Sequence, residues 1–186
     1  MRITRARWLD EGLAVLASEG VDGLRIDGLA ARLGVTKGSF HHHFDGAADF
    51  RRALLAHYEE QARTSLAAAI ESRGGEGTRA TLAWLTTLVS RDDGLRRPEL
   101  DAAVRAWAYA DPEARATQAR IDAAAIEALQ AAWRPAAETD AAARTAALVP
   151  YLVSLGAAAI VPPVDAEELR SIYELLLEAV PAEDDA

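Results

Sequence analysis

Hydrophobic residues recur along most of the chain at spacings of three and four, and no segment alternates convincingly between apolar and polar residues. Spacings of three and four are typical of amphipathic α-helices, whereas a half-buried strand is apolar at every second residue. The pattern therefore predicts an all-α protein with about nine helices.

Three short helices are predicted near the start of the chain. Thr4 can cap the first helix, and Gly20 can end it. A second helix closes at Gly34, and Thr36 is a suitable N-cap for a third helix that runs to about His43. We expect these helices to form a small head.

The remainder of the chain is predicted to form a larger helical body. A long fourth helix leads into it and breaks at the glycine-rich residues 74–77, which are too few for an interdomain linker. Asp165 and Glu168 resemble a capping box at the start of the last helix. We therefore place the head at residues 1–46 and the body at residues 47–186.

Charge is unevenly distributed between these two parts. The formal net charge is −9, with +1 on residues 1–44 and −10 on the rest. This balance argues against a protein that binds nucleic acid indiscriminately. Cysteine is absent, which fits a cytoplasmic protein and leaves no disulfide framework.

One uncharged segment, Thr145 to Val164, is long enough to raise the question of a membrane. Pro150 interrupts it and Pro162 ends it, so its continuous helical part is shorter than the roughly 20 residues that a span requires. We expect a buried bundle helix and no membrane.

The segment "LAARLGVTKGSFHHHF", residues 29–44, carries the most unusual chemistry. Consecutive helical residues point about 100° apart, so the three histidines cannot converge on a metal ion. Phe40 and Phe44 share a face and can enter a small core. Lys37 and His41 then face outward, with Gly38 and His42 beside them.

Two interpretations of this outward face remain open from the residues alone. Hydroxyl, ammonium and imidazole donors suit phosphate oxygens and the acceptors on base edges, as in the second helix of a helix-turn-helix. The other interpretation is an ordinary exposed helix with an incidental histidine run.

The same segment resembles the N-terminal domain of the TetR (tetracycline-repressor) family of bacterial transcriptional regulators. The resemblance covers about residues 3–55, including the first helix, the turn glycine, "TKGS" and the following "ADFRRALL". It implies a DNA-binding head, phosphate contacts from one group of residues and base-edge contacts from another. The first group is Thr36, Lys37, Ser39, His41 and His43, and the second is Lys37, Gly38 and His42.

Several positions differ from the family's usual pattern. His41 replaces a tyrosine, Arg25 a capping threonine or serine, and Ala47 a lysine. Gly12 replaces an alanine, at a cost of roughly 1 kcal/mol in helix propensity. Asp27 stands where some members read a base, and there it could accept from a cytosine amino group or repel phosphate.

The last two predicted helices carry an apolar stripe that must be covered, either within the chain or by a second copy. The resemblance implies a dimer of four packed helices. The candidate interface residues are Leu148, Leu152, Leu155, Leu169, Ile172, Tyr173, Leu176 and Val180.

Aromatic residues in the middle helices are either plain core or the lining of a pocket for a small-molecule effector, as the resemblance implies. The candidate pocket residues are Trp84, Leu88, Trp107, Tyr109 and Trp133.

The leading functional hypothesis is a homodimeric, DNA-binding repressor that a small molecule releases from double-stranded DNA. The alternative is a helical ligand-binding or scaffolding dimer with little DNA affinity. No nucleophile elbow, metal-ligand spacing or phosphate-binding loop is present, so we predict no catalytic residue, metal or cofactor.

Overall fold

The computed structural model describes residues 3–71, 78–89 and 97–178, and these ranges contain nine α-helices and no β-strand. The predicted all-α fold is therefore confirmed. Two short 3₁₀ turns follow α1 and α7. The helices are α1 (Arg5–Glu19), α2 (Ile26–Arg32), α3 (Lys37–Phe40), α4 (Ala47–Glu71), α5 (Thr78–Val89), α6 (Pro98–Ala110), α7 (Pro112–Trp133), α8 (Asp140–Ala159) and α9 (Ala166–Glu178).

The chain divides into two compact units, the first formed by residues 1–61 and 97–120 and the second by residues 62–96 and 121–186. The first unit contains α1 to α3, the first half of α4, α6 and the start of α7. A functional boundary between residues 46 and 47 stays a prediction.

Most predicted helix ends are found where capping residues indicated them. The Thr4 hydroxyl accepts from the Arg7 amide at 3.3 Å, and Gly20 ends α1 with a φ of 70°. Asp165 accepts from the amides of Glu167 and Glu168 at 2.9 and 2.8 Å. The third helix is shorter than predicted, because after Phe40 the chain tightens into a turn over residues 41–43.

Four aromatic rings form the centre of the head. Phe40 lies 5.4 Å from Trp8, 5.0 Å from Phe44 and 5.5 Å from Phe50, measured between ring centroids. All four side chains are 2% exposed or less, and the Trp8 indole N–H has no hydrogen-bond partner among the described residues. These rings fix α3 against α1 and α4. The burial of Phe40 and Phe44 was predicted from their spacing, whereas their contacts with Trp8 and Phe50 were not.

Three consecutive residues of α4 each contact a different helix of the first unit. His57 Nε2 lies 2.9 Å from a carboxylate oxygen of Asp10 on α1. The Tyr58 hydroxyl donates to Asp101 on α6 at 2.6 Å. Glu59 accepts three hydrogen bonds from the Arg120 guanidinium on α7, and this pairing raises the pKa of Arg120. These links anchor the first half of α4 within the same unit as the head.

Gly12 lies where α1 approaches α4 most closely. A methyl group at this position would stand 2.7 Å from the ring of Phe50 and 2.9 Å from Leu54 Cδ1. Both distances are shorter than carbon–carbon contact allows. A side chain at this position would therefore force the buried ends of Phe50 and Leu54 to shift, which favours glycine although it lowers helix propensity.

Gly12→Ala should consequently destabilise the protein. Alanine stabilises an open helix position by roughly 0.5–1 kcal/mol relative to glycine, whereas an extra carbon in a packed core costs about 1–3 kcal/mol. We expect a net loss of roughly 1–2 kcal/mol and a melting temperature lower by about 2–8 °C in thermal denaturation. Gly28→Ala is the control, because a methyl group at Gly28 in α2 meets nothing within 4 Å. An unchanged melting temperature for Gly12→Ala would contradict this account.

In the second unit, α9 packs against α5 and α8. A small core of Ala157, Leu169 and Tyr173 joins α8 to α9, with Val153 and Leu176 packed against it. The Tyr173 hydroxyl donates to the Pro150 carbonyl at 3.1 Å. These contacts bury part of the predicted stripe of the last helix within the chain.

Candidate nucleic-acid interface

The turn between α2 and α3 is set by a glycine with a left-handed backbone. Gly34 has a φ of 68°, which residues with a side chain adopt only under strain. Its amide donates to the Ala31 carbonyl at 3.1 Å, and the Val35 amide donates to the Ala30 carbonyl at 3.0 Å. This pair of hydrogen bonds is a Schellman motif, which ends α2 and turns the chain sharply into α3.

The outward surface of α3 carries the predicted hydrogen-bond donors. Thr36, Lys37, His41 and His42 are exposed, and Ser39 is half-buried. A methyl group at Gly38 would meet only the Thr36 hydroxyl, at 3.7 Å, so this face is open to close approach by another molecule. The predicted arrangement of the outward face is found, with Phe40 as its buried anchor.

His43 differs from its two neighbours. It is half-buried, and its Nε2 lies 3.0 Å from the Ile3 carbonyl, which can only accept a hydrogen bond. Nε2 therefore carries the proton, and Nδ1 becomes a donor only when the ring is charged. His43 holds the segment that precedes α1, and its phosphate contact stays a prediction.

Lys37 forms an ion pair that crosses from α3 to α2. Its ammonium lies 2.6 Å from Asp27 Oδ1, and both side chains are about two-thirds exposed. An exposed pair of this kind contributes roughly 0–1 kcal/mol, so a DNA phosphate could displace Asp27 at small cost. The sequence marked Asp27 as an unusual residue at this surface but did not predict its partner.

Arg32 points away from α3 and binds α1 instead. Its guanidinium donates to Glu11 at 2.6 Å and to Glu19 at 2.9 Å. The hydrogen bond that Arg32 donates to Glu11 is the main cause of the raised pKa of Arg32. This cation fixes α2 on α1 and adds nothing to the outward charge of α3.

Residues 9–54 match the family model described as bacterial regulatory proteins, tetR family. This segment is a TetR-family N-terminal domain. Over 53 residues the chain is 38% identical to the HTH-type transcriptional regulator SrpR of Pseudomonas putida, a match that covers 28% of this chain and 25% of SrpR. The TetR family consists of regulators and not of enzymes.

Solved structures share the fold of the whole chain. The reduced form of NemR from E. coli is 20% identical, with a TM-score of 0.78 over 99% of this chain and 100% of NemR. A transcriptional regulator from Saccharomonospora viridis in complex with choline is 18% identical, with a TM-score of 0.73 over 94% of this chain and 95% of the other. The likeness in fold therefore extends beyond the matched head into the helical body.

The predicted pocket residues of this chain are dispersed. Trp107 is buried in the first unit, whereas Trp84 and Trp133 are half-buried in the second. Tyr109 is 86% exposed, so it does not line an enclosed pocket. Tyr109 was a candidate because it is aromatic and lies in the middle helices, and neither property determines burial. The side chain of Leu88 lies outside the described residues.

The predicted interface residues fall into two groups. Leu169 is fully buried and Tyr173 is 6% exposed, and both pack within the chain. Little of either side chain is left for a partner, because this part of the stripe on α9 packs against α8 of the same chain. Leu152 and Ile172 are exposed, while Leu148, Leu155 and Leu176 are half-buried. Val180 lies outside the described residues.

Sequence reasoning missed part of the exposed apolar surface. Val149 and Ile160, which were not among the predicted interface residues, are 42% and 55% exposed. Val149 lies on α8 with Leu152, which is 59% exposed, and with Gly156, and Ile160 directly follows the helix. On α9, Leu175 is 66% exposed. Val149, Leu152, Gly156 and Ile160 are spaced by three, four and four residues in the sequence, and this spacing could have revealed the exposed face.

Proposed function

We propose that this chain is a DNA-binding transcriptional repressor that binds a palindromic operator as a homodimer. The observation that carries the proposal is the outward face of α3, where donors surround an open glycine on a helix anchored by Phe40. A helix fixed in this way can enter the major groove and present donors to phosphates and base edges. Such a regulator acts in the cytoplasm.

The dimer is proposed to form through the exposed apolar face of α8 and the neighbouring residues Ile172 and Leu175 of α9. α8 is long and apolar enough to cross a membrane, and only 17% of its most apolar window is buried in the chain. The predictions of a buried helix and of an interruption at Pro150 are therefore wrong, because α8 runs through Pro150 and leaves much of its apolar surface exposed. A two-fold dimer would cover this face and give two α3 helices a fixed separation. The full-length likeness to TetR-family folds supports a second copy, and not a membrane, as the covering surface.

A small molecule bound by the helical body is proposed to weaken DNA binding through linkage between two sites. The indole N–H of Trp133 supports a ligand with an acceptor, since this buried donor has no partner among the described residues. Buried donors are normally satisfied. Trp84, in the same unit as Trp133, remains a candidate for the lining of the site.

Selection of bound sequences from a random duplex pool tests the proposal. We expect a palindrome whose half-sites are centred about 34–36 Å apart, or a small multiple of that distance. Enrichment of a single unrepeated site would contradict the dimeric arrangement on DNA.

The second candidate function is a helical ligand-binding or scaffolding dimer without DNA affinity. It is favoured by the exposed carboxylate of Asp27 beside α3 and by the acidic body. A dimer that binds small molecules but enriches no duplex in the same selection would establish this alternative.

A further inference from the structure

The cations of the head differ in whether they have a partner. Arg32 binds Glu11 and Glu19, and Lys37 binds Asp27. In the part of the chain that the structure describes, Arg25 and Arg51 have no acidic partner and no hydrogen-bond acceptor for their side chains. Both are exposed, so their charges are available to an external anion.

Arg25 and Arg51 line the same surface depression, which has a volume of about 560 Å³. Arg25 is the N-cap residue of α2, and its side chain makes no capping hydrogen bond. Arg51 lies one turn into α4. Gly28 and Ala47 line the depression between them, and a methyl group at Gly28 would meet nothing within 4 Å, so space remains for a ligand.

The charges of this depression suit a phosphate. Asp27 is its acidic member, and Lys37 offsets that charge from 2.6 Å away. Two guanidinium groups therefore dominate the depression. Guanidinium presents a planar fork of donors that fits phosphate oxygens and stays charged at every physiological pH.

We propose that Arg25 and Arg51 hold the sugar-phosphate backbone of double-stranded DNA beside the groove that α3 enters. The inference rests on the proposed function, and Asp27 connects the two surfaces, since it lines the depression and pairs with Lys37 of α3. This arginine pair carries no base preference. It sets the affinity and orientation of the head on any duplex.

The test is the salt dependence of duplex affinity for Arg25→Ala and Arg51→Ala. Each variant removes one phosphate contact per protomer and two per dimer, so the slope of log affinity against log salt should shrink by about 1.8. The loss of affinity in each variant, relative to the unchanged protein, should therefore be about tenfold smaller at 200 mM salt than at about 50 mM. The double variant should lose about 3.6 from the slope, and Arg51→Lys should keep the original slope.

Arg52→Ala is the matched control. Arg52 follows Arg51 on α4 and is as exposed, but its guanidinium lies 3.3 Å from Glu113 and 3.9 Å from Asp49. Removing this paired cation should leave the slope unchanged. Circular dichroism of each variant confirms that the fold is intact.

Two outcomes would contradict the proposed backbone contact of Arg25 and Arg51 and leave the proposed function intact. One is a slope that neither Arg25→Ala nor Arg51→Ala changes. The other is an equal reduction in Arg52→Ala, which would mean that the total charge of the head matters and not this depression. Absence of duplex binding by the unchanged protein at low salt would instead remove the proposed function, and the pair with it.

Discussion

Leu152→Glu should convert the protein from a dimer into a monomer and lower its affinity for operator DNA by at least about 100-fold. Leu152 is 59% exposed on α8, so a charged side chain at this position can remain in water in the monomer. In a two-fold interface, one substitution buries two carboxylates without partners, at a cost of several kcal/mol. A monomer also loses the gain of about 10²–10⁴ that two linked binding sites provide.

Sedimentation equilibrium and operator titration measure the two effects together. Tyr109→Glu is the control, because Tyr109 is also an exposed large side chain but lies on α6. Leu176 is a less suitable position, since it packs against the core of Ala157, Leu169 and Tyr173. A Leu152→Glu protein that still has dimeric mass would place the interface elsewhere. If the protein without substitutions is monomeric and binds lipid vesicles, the exposed face of α8 instead contacts a membrane surface.

Lys37→Ala should weaken operator binding by on the order of 100-fold, more than the loss of a phosphate contact alone. The ammonium of Lys37 contacts DNA in the proposed complex and also neutralises Asp27, which lies 2.6 Å away. Its removal leaves two unpaired carboxylates per dimer facing the phosphates. Asp27→Asn should have the opposite effect and raise affinity for all sequences by roughly tenfold, because the repulsion disappears and Lys37 is released.

The double variant Lys37→Ala with Asp27→Asn separates these contributions in a double-mutant cycle. We expect it to recover much of the affinity that Lys37→Ala loses. If Asp27→Asn weakens binding at one base position only, Asp27 accepts a hydrogen bond from a cytosine amino group, and the repulsion model is wrong.

Features that depend on neighbouring residues were predicted well from the sequence. Thr4, Gly34 and Asp165 act within a few residues of their own positions, so their capping and turn roles follow from local backbone chemistry. Phe40 and Phe44 share a face because they lie four residues apart. The outward face of α3 follows from the same geometry.

Features that depend on contacts between distant segments were not predicted. The sequence could not show that Gly12 packs against Phe50, or that Lys37 forms an ion pair with Asp27. Both contacts depend on how the helices cross. The stripe of α9 was recognised, but its periodicity does not say which neighbour covers it. Leu169 consequently proved to be covered by its own chain. Tyr109 was misplaced for a similar reason, because aromatic character alone does not determine burial.

The aromatic centre of the head also makes the domain visible to fluorescence. Trp8 is the only tryptophan in residues 1–61, it is fully buried against Phe40, and its indole N–H has no protein acceptor among the described residues. An indole in such a dry environment emits at shorter wavelength than one in water. With Trp84, Trp107 and Trp133 replaced by phenylalanine, the emission of Trp8 would report the opening of the head during unfolding, separately from the rest of the chain.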